Sequence, residues 1–508
     1  MFRTDFLTGE LADALACPWK LHGRFPTIPD MLVRLGSFAG GILLTLSLAA
    51  PCPALAQTKP APASAAAAFS HAAAEQIDSK VQEVLATTGV PSASIAIVES
   101  GRIVYLHAYG LAQLAPPVAA QPQMQYPIGS VSKQFTAAAI LLLAQEGKLS
   151  IDDPVSKFFP DLTRAGEVTV RMLLSHTSGY QDYWPQDYVM PWLAEPTTPQ
   201  HILDVWGKKP LDFPPGTAWQ YSNTNFVMAG RIVEKVSGEP LLTFLEQRIF
   251  TPLGMTHVVD SDTGAPLPGG PLGYYRHALG PLRPAPFSGA GWMFAAADLA
   301  MPADDLARWD ISLIDRGLLR PSGYREMLTP VRLKDGKSSG YGLGVFLGDR
   351  NGHPIIEHSG EVSGFVSENV VFPADRAAIV VLTNQDASSA AGEIGRELTP
   401  IVLGLPSPAP DPAVAQALAI FLGLEDGHID RSLLTDSCNA YFTEQALDDF
   451  SSSLKPLGTP LSFTFARKEL RGGMTFRIFT AEFANHAHLT VTTYEMPDGK
   501  LEQYLVIP

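Results

Sequence analysis

Apolar residues recur at Ile77, Val81, Val84 and Leu85, three and four apart, and predict an amphipathic helix that starts near Ser70 and ends before Pro91. Ser94–Val98 and Ile103–Tyr109 have strand character and flank Glu99-Ser100-Gly101-Arg102, the pattern of a hairpin. After Ser130 the run Phe135, Ala137, Ala138, Ala139, Ile140, Leu141, Leu142 and Leu143 is apolar on nearly every side up to Gly147. It predicts a helix buried in the middle of its domain. Pro215-Gly216 marks a turn, Asn225–Val236 a helix closed by Gly238, and Gly342–Leu347, Phe365–Phe372 and Ala378–Thr383 three further strands. Helical material between strands at both ends predicts an α+β domain over 70–404: an antiparallel sheet assembled from the two ends, flanked by helices.

Pro406, Pro408, Pro410 and Pro412 set a proline-rich linker over 405–412. Beyond it, helices at Val414–Leu424 and Asn439–Phe450 precede strands at Leu461–Phe465, Met474–Phe479, Ala487–Thr493 and Leu501–Ile507. Pro497-Asp498-Gly499 turns the chain between the last two. These elements predict a small α+β accessory domain over 413–508.

The start of the chain reads differently. Arg34, the apolar stretch Leu35–Ala50 and the small-residue pattern Ala54-Leu55-Ala56 have the form of a secretory signal peptide within a leader over 1–56, and Met31 is the expected translation start. The apolar stretch is short for a full membrane span, so no span is expected after processing. An Ala/Pro-rich segment over 57–69 reads as a flexible lead-in. Removing the leader deletes Cys17 and Cys52 and leaves Cys438 alone, which excludes an intrachain disulfide and is read as a buried structural cysteine. With 36 Lys plus Arg against 51 Asp plus Glu, the net charge of -15 argues against a general nucleic-acid partner. No Cys/His cluster has metal-ligand spacing, so neither a metal nor a cofactor is expected.

Three short motifs carry the chemistry. Ser130 and Lys133 stand three apart at the head of the buried helix, so hydroxyl and amine can meet, and burial lowers the proton affinity of the amine. Tyr221-Ser222-Asn223 offers a phenol that an ammonium would shift toward phenolate, able to relay protons, and an amide to orient a substrate. His358-Ser359-Gly360, at the start of an edge strand, offers groups for an anion or carbonyl and a glycine that permits close approach. At pH 7 a histidine of ordinary pKa would be only partly charged.

In this order and at these separations, the three motifs resemble those of the penicillin-recognising serine hydrolases, the class C β-lactamase and D,D-carboxypeptidase family. Leu174-Ser175-His176-Thr177-Ser178-Gly179 and Pro252-Leu253-Gly254-Met255 are similar to that family's wording. The resemblance implies the serine β-lactamase/D,D-peptidase fold, with an all-helical subdomain. It implies Ser130 as nucleophile, Lys133 and Tyr221 as proton-transfer pair, and Asn223, His358, Ser359 and Gly360 as substrate-binding residues. The oxyanion hole would be the N–H groups of Ser130 and Glu361, and His176 would be architectural. A histidine at 358 departs from the lysine of typical class C β-lactamases and removes a fixed clamp for a substrate carboxylate. The expected activity is hydrolysis of a peptide-like amide or ester, including D-amino-acid peptides. A weak β-lactamase, a carboxylesterase and a non-catalytic cell-wall peptide binder stay open, as does assembly into a homo-oligomer. An aromatic-rich insert, Tyr180, Tyr183, Trp184, Tyr188 and Trp192, is expected either to line the entrance or to pack as a flap.

Export predicts a periplasmic or secreted protein whose N-terminal sequence, read from material outside the cytoplasm, begins at Gln57. Intact Met1 or Met31 there would reject cleavage.

Overall fold

A computed structural model describes residues 70–186, 188–278, 280–405, 412–484 and 487–507. The leader, the lead-in and most of the proline-rich linker lie outside the described residues, as do Cys17 and Cys52.

Helix α1 (His71–Thr88) is capped by the Ser70 hydroxyl, which accepts from the Ala73 N–H, and buries Ile77, Val81 and Val84. Strands β1 (Ser92–Glu99) and β2 (Arg102–Leu114) form the expected hairpin, turned by Ser100 and Gly101 at φ +53° and +74°. A short β3 (Pro117–Ala119) follows. A 3₁₀ turn over Gly129–Ser132 runs into α2 (Lys133–Gln145), whose buried face includes Lys133 itself. Helix α3 (Asn223–Ser237) ends on Gly238 in the left-handed region, as read from the sequence, and α4 (Ala303–Asp315) lies later in the helical half. The main sheet is completed by β4 (Phe346–Arg350), β5 (His353–Val362), β6 (Phe365–Phe372) and β7 (Ala377–Thr383), followed by α5 (Ala390–Val402).

These seven strands make one antiparallel sheet in the order β3-β2-β1-β7-β6-β5-β4. The two ends of the domain meet where β1 pairs with β7. Period-two alternation divides each central strand between two cores. Ile95, Ile97, Ile379 and Val381 face α1 and α5, whereas Ala96, Val98, Val380 and Leu382 join the larger core around α2. The fold is the α+β architecture read from the sequence.

Two strand assignments differ from expectation. Gly342–Val345 is not strand: Gly344 sits at φ +77° and the Gly342 N–H bonds the Val345 carbonyl, so the chain turns before β4 begins. His358 is not at the start of a strand but inside β5, second from the sheet edge. However, β4 pairs with β5 only from His353 to Glu357, so from His358 onward that side of β5 has no neighbouring strand.

After the linker come α6 (Pro412–Glu425), α7 (Asp436–Tyr441) and α8 (Glu444–Leu454). A four-stranded antiparallel sheet follows: β8 (Ser462–Arg471), β9 (Met474–Glu482), β10 (His488–Glu495) and β11 (Leu501–Ile507). The single helix predicted over Asn439–Phe450 is two, because Thr443 caps a new one by accepting from the Ala446 N–H. This module has a core of its own, including Phe421, Phe479, Val491 and Tyr504. Cys438 lies buried in it as a free thiol, its pKa raised by burial to about 11.

One polar network crosses the larger core. Trp309 donates to Gln134 Oε1 (2.8 Å), Gln134 Nε2 to Asn369 Oδ1 (2.9 Å), and Asn369 Nδ2 to both oxygens of Asp310 (2.8 Å each). It joins α2, α4 and β6. Burial holds the Asp310 carboxyl well above its ordinary pKa, with Asn369 opposing only in part. The folded chain therefore binds this proton more tightly than the unfolded chain. The stabilisation is complete below the ordinary aspartate range and declines as pH rises through it. Asp310→Asn should abolish this component, so the difference in melting temperature between variant and wild type should grow in favour of the variant as pH rises from 4 to 7. A pH-independent difference in thermal unfolding would contradict a neutral Asp310.

Candidate active site

Packing brings the three sequence motifs together. Lys133 is fully buried, and its Nζ donates to Ser130 Oγ (2.8 Å), Asn223 Oδ1 (2.7 Å) and the Ala296 carbonyl (2.9 Å). Nζ also lies 4.8 Å from the centroid of the Tyr221 ring and 5.6 Å from that of Phe226. Burial drives its pKa well below the ordinary lysine value, against the charges of Asp182 and Asp298. A buried amine so placed can accept the proton of Ser130.

Tyr221 does not carry the charge expected of it. Burial pushes its pKa well above the ordinary tyrosine value and the nearness of Ser130 offsets this only in part, so the group is a phenol. Its hydroxyl is sealed from solvent without a fully formed hydrogen bond. A phenol so placed is suited to give a proton rather than to take one.

His358 differs from expectation in the same way. Burial and the Lys133 charge lower its pKa to about 3, so it is neutral rather than partly charged. Nδ1 lies 2.6 Å from the Ser359 carbonyl, which can only accept, and Nε2 lies 3.0 Å from the Tyr341 hydroxyl. Both nitrogens are therefore engaged inside the protein, and the ring presents no charge to an anionic substrate. Ser359 is exposed at the cavity wall, and Gly360 is buried.

Gly360 and Gly129 let two backbones touch. A Cβ on Gly360 would stand 2.0 Å from the Ile128 carbonyl oxygen, and one on Gly129, at φ +52°, would stand 2.7 Å from the Glu361 nitrogen. This contact sets the Glu361 nitrogen beside the turn that carries Ser130. The Glu361 carboxylate accepts from the Ala387 N–H (2.8 Å).

His176 is architectural in its contacts. Its Nδ1 accepts from the Ser222 N–H (3.1 Å) and its ring lies over Tyr221 with centroids 4.3 Å apart, fixing the segment that carries the phenol. Burial, with Lys133 and His358 adding, holds it neutral.

Three groups were not singled out in the sequence. Asp182 Oδ1 accepts from the Asn223 N–H (3.1 Å) and the Trp184 N–H (3.2 Å), and Oδ2 from Asn223 Nδ2 (3.3 Å). Asp262 accepts from the Met293 and Phe294 N–H groups, and Asp298 from that of Ala295, which together secure the loop whose Ala296 carbonyl faces Lys133. Asp182 lies inside the flagged aromatic insert, but no spacing rule links residue 182 to residue 133. From that insert Tyr183, Trp184 and Tyr188 line the cavity, while Tyr180 is buried and Trp192 packs on Trp206 and Trp292.

The cavity holds about 420 Å³ and is lined by Ser130, Tyr221, Asn223, Ser359 and Glu361, together with Asp182 and residues of the aromatic insert. Among its described lining residues there is no lysine or arginine.

The sequence profile of the Beta-lactamase family matches residues 77–400. The chain belongs to that family. Among Beta-lactamase family relatives, the D-aminopeptidase of Brucella canis is 30% identical over 326 residues, 63% of this chain and 61% of that protein. The chain thus spans less than two thirds of that relative's length. The solved D-amino acid amidase of Ochrobactrum anthropi SV3, complexed with L-phenylalanine amide, is 26% identical with a TM-score of 0.57, covering 66% of this chain and 98% of that one. The octameric penicillin-binding protein homologue from Pyrococcus abyssi, 23% identical with a TM-score of 0.60, shares the fold over 86% of this chain and 100% of its own.

Gly360→Ala should force the β5 edge away from Ile128 and slow acylation of Ser130 by a fluorophosphonate by tenfold or more, since loss of one oxyanion donor costs about 10²–10³ in comparable sites. A wild-type labelling rate in the folded variant would refute the assigned contact.

Proposed function

We propose that this serine hydrolase cleaves amides, short peptides or esters of D-amino acids whose α-amino group is free, through an acyl-enzyme on Ser130. The observation that carries the reading is the charge of the cavity. Asp182 stands in the cavity with hydrogen-bond donors at both oxygens, as suits a carboxylate, His358 is neutral, and no lysine or arginine stands among the described lining residues. A terminal carboxylate, as in a penicillin or a D-Ala-D-Ala peptide, would find no fixed cation, whereas an α-ammonium would find a carboxylate. The D-configuration is taken from the D-aminopeptidase and D-amino acid amidase relatives.

In this mechanism Ser130 Oγ attacks the substrate carbonyl as its proton passes to the Lys133 amine, and the N–H groups of Ser130 and Glu361 receive the developing oxyanion. The Tyr221 phenol gives its proton to the departing amine and is restored from Lys133. Water then attacks the acyl-enzyme by the reverse relay and releases the acid. Export of the processed chain would place this chemistry in the periplasm or outside the cell.

A panel of D- and L-phenylalanine amide, N-acetyl-D-phenylalanine amide, a D-Ala-D-Ala peptide, penicillin G and p-nitrophenyl acetate, run against wild type and Ser130→Ala, tests the reading. D-phenylalanine amide should be preferred over its N-acetyl form by tenfold or more, and all turnover should vanish in Ser130→Ala. Saturable binding without serine-dependent turnover would instead identify a peptide binder. Lys133→Ala and Tyr221→Phe should each lower single-turnover acylation by about 10²–10⁴ without altering the circular dichroism spectrum, and near-wild-type rates in both would sink the assigned roles.

A further inference from the structure

The resting geometry of Lys133 is that of an ammonium. Three acceptors surround Nζ, those of Ser130, Asn223 and Ala296, one for each proton. To take the Ser130 proton it must first lose one of its own. A neutral amine can keep its bonds to Asn223 and Ala296 and turn its lone pair to Ser130, so the resting and reactive states differ by one proton on one vector.

Asp182 helps to hold that proton in place. The Asn223 side chain bridges the two groups, its Oδ1 accepting from Lys133 and its Nδ2 donating to Asp182. Burial raises the Asp182 pKa, opposed by the Trp184 and Asn223 N–H groups, by the Lys133 charge and by the Asn223 amide, and every hydrogen bond found at its oxygens comes from a donor, which suits a carboxylate. Its charge favours the charged form of Lys133.

The other groups facing Lys133 do not combine these properties. His176 and His358 are held neutral by burial, and Tyr221 is a phenol. Asp298, behind the Ala295–Ala296 loop, also favours the ammonium, but it is half-buried and does not line the cavity. Asp182 alone among these groups both acts on Lys133 and reaches the substrate cavity. Glu361 lines the cavity too, with its carboxylate directed to the Ala387 N–H.

We propose that a cation seated against Asp182 releases Lys133 to act as base, so that the ammonium of the substrate switches on the attack on its own carbonyl. This deepens the reading that the substrate carries a free amine. Binding neutralises the field of Asp182, one proton leaves Lys133 for solvent, and the amine then takes the proton of Ser130 as the ester bond forms. A substrate without the ammonium meets an enzyme whose base is still protonated. The device discriminates in the rate of acylation and not only in binding.

The test uses p-nitrophenyl acetate, which has no amine, and follows the burst of acylation on the whole enzyme against pH, with and without ethylammonium chloride, at ionic strength matched with sodium chloride. Ethylammonium should accelerate the burst on the acid side of the profile by on the order of tenfold, the effect of removing one nearby opposite charge, and leave the alkaline plateau unchanged. Asp182→Asn should show the accelerated acid limb without added amine and should not respond to ethylammonium. Because burial raises the Asp298 pKa to about 7, this carboxyl titrates in the same window; Asp298→Asn should shift the limb yet keep the response to ethylammonium. If wild type prefers D-phenylalanine amide over its N-acetyl form but ethylammonium does not move the acid limb, the switch is refuted while the substrate reading stands. If that preference is itself absent, the substrate reading fails. Should Asp182→Asn not fold, the response of wild type to ethylammonium decides alone.

Discussion

A lysine side chain sealed inside an apolar core is the constraint around which the catalytic domain is arranged. An unpaired ammonium there would cost several kcal/mol, so each of its protons must find an acceptor. The acceptors come from places far apart in sequence: Ser130 on the preceding turn, Asn223 at the head of α3, and the Ala296 carbonyl on a loop. Each of these must itself be held. Asp182 grips Asn223, and Asp262 and Asp298 hold the loop. These carboxyl groups are thus fixtures of the lysine's surroundings, each accepting from the N–H groups of the segment it holds.

The sheet enters the same arrangement from the other side. Gln134, next in sequence to Lys133, is tied through Asn369 to β6 and through Trp309 to α4. Ser367 on β6 donates to the Ile128 carbonyl (2.8 Å), beside the turn that carries Ser130. Helical half and sheet are therefore in register where Ser130 meets Gly360 and Glu361. Apolar packing alone would allow small slips there; directional hydrogen bonds in a low-dielectric interior do not.

Much of this arrangement could be read along the chain. The hairpin at Ser100-Gly101, the buried helix after Ser130 and the helix closed by Gly238 follow from local periodicity and turn chemistry, which act over a few residues. The grouping of Ser130, Lys133, Tyr221, Asn223, Ser359 and Gly360 was accessible through family wording, since no local rule relates motifs 90 positions apart or more. Asp182 and the Ala296 carbonyl were not legible: the first is one acidic residue among many, and the second is a backbone group with no side-chain signature. The charge states of Tyr221 and His358 were misread for one reason. Tyr221 is read from a neighbouring ammonium and His358 from its ordinary pKa, whereas the decisive influence on both is exclusion from water, which appears only once the chain is folded. The turn at Gly344 was missed because Gly342–Leu347 has the composition of a strand.

That turn sets the extent of the sheet at a place where the extent matters. With Gly344 at φ +77° and its Cβ direction only 2.9 Å from the Lys133 carbonyl oxygen, the chain cannot run on as an extended neighbour beside His358. The ladder stops at Glu357, and the following residues of β5 keep one side open toward the cavity. An open sheet edge is ordinarily an invitation to adhesion between molecules; here it lines a cavity shared with Tyr183, Trp184 and Tyr188 of the aromatic insert. The dimensions of the guest are in this sense written in a strand that ends early, and lineages that lengthen or shorten that strand could exchange one clientele for another without altering a single reacting group.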